Sequence, residues 1–170
     1  MTSEVATEGG RFVVAPHACF ACGELSAHGL HLALHVAGET CWTEVTLRPD
    51  FQGWDGIAHG GIVATLLDEV MAWALASHGA WAVTAKLEIE YKRPIPIGAP
   101  IRGEGRMVAQ RRRLLTTSGR LFDPATGAAY AVATGLYVTV PDARREELQA
   151  RYEFRLVPEA APGGEAEGRP

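Results

Sequence analysis

Residues 59–77 read HGGIVATLLDEVMAWALAS, and this stretch decides the fold. With Ile62 at zero and about 100° per residue, Ile62, Val63, Leu66, Leu67, Val70, Met71, Trp73 and Ala74 fill one broad arc. An arc of that width is the core-facing stripe of an amphipathic helix, so the spacing predicts a helix over 61–77. The opposite side carries Ala64, Thr65, Asp68, Ala72, Leu75 and Ala76, with Glu69 at the edge of the stripe. A solvated helix face is normally dressed with Lys, Glu and Arg. This alanine-rich one predicts close packing against another element, such as a helix across a dimer interface. No lysine or arginine occurs between Arg48 and Lys86, so neither acid has a cation at helical spacing. Glu69 is expected to be solvated, or hydrogen-bonded near the helix end. Asp68, set among alanines, is expected to be a partly buried, functional carboxylate.

Outward from the helix, both flanks alternate as strands do. Upstream, Leu30, Leu32, Leu34 and Val36 predict a strand over 29–36, and Cys41, Thr43, Val45 and Leu47 a second over 41–47. Downstream, strands are expected over 83–93, 101–108, 112–122 and 128–140, with the Asp123-Pro124-Ala125-Thr126-Gly127 turn before the last. The order strand, strand, helix, then four strands does not alternate as a doubly wound fold would. It predicts an α+β domain, an antiparallel six-stranded sheet curled around one long central helix. Residues 1–15 show no sustained periodicity and are expected to form a flexible arm. The domain is expected over 16–141, and a short extension over 142–158 with a helix capped by Asp142. The small, acidic stretch 159–170 is expected to be disordered.

Composition bounds the function. At 170 residues the chain is the size of one ordinary domain, and 47% hydrophobic residues exclude a disordered one. The longest apolar stretches are interrupted by acids or glycines, so no membrane span is expected. The start, Met1 to Gly10, lacks the basic and apolar regions of a secretory signal. Three cysteines, an odd number, argue against a disulfide framework and for a reducing cytoplasm. The net charge of −4 gives no encouragement to nucleic-acid binding. Its distribution is uneven. Residues 17–69 hold seven acids and one base, a balance of −6, whereas 70–141 hold nine bases and four acids, a balance of +5.

The chemistry-bearing residues cluster at the helix. His59-Gly60-Gly61 precedes it, where glycines let a ligand approach the backbone closely. The N-terminal N–H groups there suit a carbonyl acquiring negative charge. Asp68 lies seven residues beyond Gly61, an acid without a cation on nearly the same helix face. At this point the chain resembles the hotdog-fold thioesterase superfamily, specifically the PaaI-like acyl-CoA thioesterases. The likeness rests on 51–69, on 84–96 (TAKLEIEYKRPIP), and on Cys19-Phe20-Ala21-Cys22-Gly23 followed by Gly29-Leu30. It covers roughly 18–140. The resemblance implies a thioester hydrolase with Asp68 as general base or nucleophile and the Gly61 N–H polarising the carbonyl. It further implies that His59 shapes the loop and that Thr84 lies near the attacking water. Sites would lie between two chains of a homo-oligomer, a dimer or a dimer of dimers (a homotetramer). The substrate would be an acyl-CoA, with no separate cofactor. The alternative is a non-catalytic acyl-CoA-binding protein on the same fold.

Two further clusters bear on ligands. Lys92, Arg93, Arg111 and Arg112 are candidates to hold the coenzyme A phosphates, set against solvated, aggregation-guarding strand edges. His17, Cys19, Cys22, His28 and His31 include a Cys-x-x-Cys nucleus, but a second ligand pair at zinc-finger spacing is missing, and no metal is expected. Trp54, Trp73 and Trp81 are expected to pack in the core or an interface.

Overall fold

The computed structural model describes residues 3–7 and 10–158; the expectation for 159–170 lies outside the described residues. Helix α1 spans Gly60–Ala74 and buries Val63, Leu66, Leu67, Val70, Met71 and Ala74, the predicted stripe. The apolar run Gly60–His78 has the length and mean hydropathy, 1.3, of a membrane span, contrary to the expectation that acids interrupt it. Here it is the core helix, ending in a short 3-10 turn at Ala76–His78 with Gly79 left-handed beyond it.

Strands β3 (Leu34–Ala37), β4 (Thr40–Thr46), β5 (Ala82–Tyr91), β6 (Pro100–Arg111), β7 (Leu114–Phe122) and β8 (Ala129–Thr139) form the expected antiparallel sheet, in the order β5-β8-β7-β6-β4-β3. Side-chain alternation turns Ile101, Leu115, Leu121, Ala131 and Tyr137 towards the helix. Gly105, Gly119 and Ala133 stand in register across β6, β7 and β8. This small-residue patch lets α1 lie directly on the sheet, since a Cβ on Gly105 would sit 2.3 Å from the Val70 carbonyl oxygen.

The sheet carries three further strands. The expected loose arm over 1–15 instead contains β1 (Ser3–Thr7) and β2 (Gly10–Val14), an antiparallel pair that joins β3 through β1. After helix α2 (Asp142–Tyr152), β9 (Arg155–Pro158) pairs with β2. The physical cause is aromatic: Phe12 stacks on Phe154 at 5.0 Å between ring centres, with Trp81 edge-on to Phe154 at 5.2 Å. The N-cap position of α2 is held by Pro141, which makes no side-chain cap, and not by Asp142; Asp142 lies in the first turn and pairs with Arg145 at 3.2 Å.

Other boundaries moved for local reasons. The strand expected over 29–36 begins only at Leu34, because His31 adopts φ +50°. Leu30 and Leu32 are nevertheless buried, their N–H groups donating to Phe20 and Ala21 carbonyls at 2.8 and 2.9 Å. The strand expected from Arg112 begins at Leu114, since Arg112 at φ +54° turns the β6–β7 hairpin. Trp54 is 84% exposed in the single chain and so is not part of the core.

Candidate active site at the helix

His59 caps α1: its Nδ1 accepts the Gly61 N–H at 2.9 Å, and its own N–H donates to the Phe51 carbonyl at 2.9 Å. Histidine thus satisfies one of the orphan donors that every helix start carries. The Gly61 N–H expected to face a carbonyl is engaged within the chain, while the Gly60 N–H has no acceptor among the described residues. Tyr91 fixes the same turn by donating its hydroxyl to the Gly60 carbonyl at 3.0 Å. His59, Gly60 and Gly61 are all exposed.

Two turns along, Asp68 is held from the sheet. Its Oδ1 accepts the Thr84 hydroxyl at 2.8 Å and the Tyr137 hydroxyl at 2.8 Å. Thr84 and Tyr137 are register partners on β5 and β8, so one cross-strand pair aims two hydroxyls at one oxygen. Tyr137 is fully buried, and burial first, then the Asp68 charge, holds its phenol well above the ordinary range. It therefore stays a donor. Oδ2 of Asp68 has no hydrogen-bond partner among the described residues, and Thr84 is exposed. Such a carboxylate, anchored by one oxygen and open at the other, can take a proton from water.

The four basic candidates do not gather at one place. Lys92 pairs with Glu90, and the Arg93 Nε donates to the Ala129 carbonyl at 3.0 Å with its guanidinium 5.0 Å from the centre of the Tyr130 ring. Both follow the end of β5 nearest the α1 N-terminus. Arg111 and Arg112 lie at the β6–β7 turn, where neither forms an ion pair among the described residues. Of the other bases on the sheet, Arg102 pairs across strands with Glu44 at 2.9 Å and Arg120 with Glu104 at 2.7 Å, while Arg106 and Arg113 donate to the neutral oxygens of Ser118 and Thr139.

Of its two expected states, Glu69 takes the one hydrogen-bonded near the helix end, not the solvated one. It turns inward, accepts the Trp73 indole N–H at 3.0 Å, and meets Cys19 and Cys22. Burial pushes its carboxyl up to about 7, with the Cys19 charge adding to the effect. The Cys22 thiol lowers its neighbour Cys19 to about 5 and itself keeps its proton, raised well above the thiol range. These groups line a cavity of about 350 Å³ between α1 and the added strands, walled by Phe12, Trp73, Trp81 and Phe154.

Sequence reasoning missed Tyr137. On an alternating strand it reads as one more core aromatic, and its partner lies 69 residues away. The cue that would find it is register: once Thr84 is placed on an antiparallel pair, the residue opposite it shares its face.

A model of the thioesterase superfamily matches residues 55–129. The chain is 32% identical over 92 residues to the acyl-coenzyme A thioesterase THEM4 of Bos taurus, covering 53% of this chain and 37% of that protein. It is 35% identical over 78 residues to the human acyl-coenzyme A thioesterase 13, covering 45% and 56%. The chain thus spans between about two fifths and just over half of these relatives. Among solved structures, a thioesterase superfamily protein aligns with TM-score 0.67 at 30% identity, covering 71% of this chain and 62% of that one. The phenylacetic acid degradation protein PaaI of Thermus thermophilus aligns with TM-score 0.60 at 28% identity, covering 65% and 95%.

Proposed function

We propose that this chain, which belongs to the thioesterase superfamily and is a hotdog-fold protein of the PaaI-like kind, hydrolyses acyl-CoA thioesters to free acid and CoA. The observation that carries the reading is Asp68, fixed at Oδ1 by Thr84 and Tyr137 with Oδ2 open. In the general-base form of the reaction, Oδ2 takes a proton from water as the water oxygen attacks the thioester carbonyl carbon. The tetrahedral intermediate collapses with loss of CoA thiolate, which leaves with that proton. In the nucleophile form Oδ2 itself attacks the carbonyl carbon, the C–S bond breaks with release of CoA thiolate, and water then cleaves the acyl-aspartyl anhydride, its proton going to the thiolate. A single turnover in heavy-oxygen water separates the two: label entering Asp68 belongs to the second alone.

The carbonyl is polarised by the α1 N-terminus, the substrate oxygen taking over the Gly61 N–H from His59. Gly61 and Asp68 are about 10 Å apart along the helix axis at 1.5 Å per residue, too far for one carbonyl to meet both. The working site therefore joins the helix start of one chain to the Asp68 of another. β5 is one of the two edge strands of the sheet and the one that carries Thr84, with Val83 59% and Tyr91 56% exposed, and offers the seam for a dimer. Arg111 and Arg112, uncommitted to acids, are assigned to the CoA phosphates, whereas Lys92 and Arg93 already have partners in the chain.

A panel of acyl-CoA thioesters with detection of the released thiol tests the reading. Turnover in the native protein, lost by about 10²-fold or more in Asp68→Asn, is the expected result, with an unchanged oligomer by light scattering. Binding without turnover would leave an acyl-CoA-binding protein instead, and full activity in Asp68→Asn would remove that residue from the mechanism.

A further inference from the structure

A second constellation lies one residue along the chain from Asp68 but belongs to different chemistry. The sulfurs of Cys19 and Cys22 and a carboxylate oxygen of Glu69 all lie within 4.8 Å of one another. The two thiols come from one tight turn. Gly23 donates its N–H to the Cys19 carbonyl at 2.9 Å, and a Cβ on Gly23 would fall 2.3 Å from the Cys19 nitrogen, so only glycine closes it. Leu30 and Leu32 tie Phe20 and Ala21, the residues between the cysteines, to the core. The third group comes from the rigid α1. No lysine or arginine lines the cavity onto which all three open; His17 does.

Expecting no metal here rested on ligand spacing along the chain, which lacks a second pair. The fold supplies the third donor from a helix 47 residues beyond Cys22. We propose that Cys19, Cys22 and Glu69 form a binding site for a thiophilic divalent cation of the zinc class, with its fourth position towards the cavity. Two sulfurs and one carboxylate oxygen are a donor set zinc accepts, at about 2.3 Å for sulfur and about 2.0–2.2 Å for oxygen. Donor atoms on such a tetrahedron stand roughly 3.5–4 Å apart, and the three groups already lie within 4.8 Å of one another. Three groups that are each anionic when deprotonated otherwise share this recess with no Lys or Arg to offset them. Binding releases the proton held on Cys22 to solvent and clips the 17–23 loop to α1 beside Asp68.

The test uses the full chain, reduced and stripped of metal with a chelator, and reads spectroscopy rather than turnover, so it is independent of the proposed hydrolysis. Titration with Co²⁺ is expected to give a thiolate-to-cobalt charge-transfer band saturating at one equivalent and bleached by Zn²⁺. Cys19→Ser/Cys22→Ser abolishes the band. Glu69→Gln, which keeps both sulfurs, weakens Co²⁺ affinity by at least about tenfold, the loss that even an outer-sphere partner causes. Should the double variant fail to fold, the Glu69→Gln result stands alone as the test. No charge-transfer band from protein with both thiols free overturns the site. So does an unchanged titration in Glu69→Gln, or a Cys19–Cys22 disulfide forming in air in protein that takes up no cobalt when reduced.

Discussion

Tyr137, with no exposed surface, spends its hydroxyl on Asp68, donating to Oδ1 at 2.8 Å while lying 3.2 Å from the carbonyl oxygen of the same residue. A buried tyrosine needs a partner for its O–H, and here that need fixes the rotamer of the proposed base. Tyr137→Phe keeps the ring in the core and removes only the donor. A hydrogen bond to a charged group is worth about 1.5–3 kcal/mol, so kcat for thioester hydrolysis falls about 10- to 100-fold with KM little changed. Thr84→Val, which leaves the Tyr137 bond in place, costs less. Steady-state kinetics checks both, with near-ultraviolet circular dichroism confirming an intact core. A rise in KM alone in Tyr137→Phe would assign the phenol to substrate binding instead.

The packing of α1 on the sheet depends on missing side chains. Gly105→Ala places a methyl 2.3 Å from the Val70 carbonyl oxygen and 2.6 Å from the Met71 nitrogen, both helix backbone that cannot rotate aside. The helix must lift, and a cost of about 3 kcal/mol or more is expected, at or above the usual range for overpacking. Gly38→Ala is the control: its φ of +54° is unfavourable, but a Cβ there meets nothing within 4 Å. That change costs about 1 kcal/mol, the left-handed penalty alone. Urea unfolding of the two variants gives the contrast directly.

What the sequence yielded and what it hid divide along physical lines. The helix stripe was legible because burial of one face leaves a period in the residues themselves, and Val63, Leu66, Leu67, Val70 and Met71 are buried accordingly. Asp68 was legible by contrast, as an acid among alanines. Tyr137, the β2–β9 pairing and the turn of Glu69 towards Cys22 were not, because each joins residues distant in sequence through a register or crossing that only the assembled sheet defines. β1 and β2 were missed for a related reason. Five-residue strands carry too few alternations to stand out, and their stability comes from Phe12 meeting Phe154 at the far end of the described chain.

That aromatic contact predicts how firmly the added strands are held. Phe154 touches Phe12, Trp73 and Trp81, with ring centres 5.0, 6.1 and 5.2 Å away. Being only half buried, Phe154→Ala is expected to cost about 2 kcal/mol, below the range for a fully buried phenylalanine. Trp73 and Trp81 lose their cover, so the emission of the folded protein shifts to the red before any unfolding transition. Fluorescence with thermal denaturation checks this. An unchanged emission maximum would mean that the β2–β9 edge does not dock in solution.

The β6–β7 turn allows charge and fold to be separated at a single residue. Arg112 occupies φ +54°, a conformation that costs an L-residue about 1–2 kcal/mol relative to glycine. Its guanidinium forms no ion pair among the described residues, so no charge pairing of the side chain offsets that strain. Arg112→Gly should therefore raise the stability of the protein, seen as a higher Tm. If the side chain holds a phosphate of coenzyme A, the same variant binds free CoA more weakly by calorimetry, and its remaining affinity falls less steeply with salt because one charge contact is gone. Arg111→Gln, on the last residue of β6, removes charge without relieving strain and so weakens binding with Tm unchanged. Stabilisation in Arg112→Gly together with full CoA affinity in both variants would leave the pair as a solvated turn and place the phosphate contacts elsewhere.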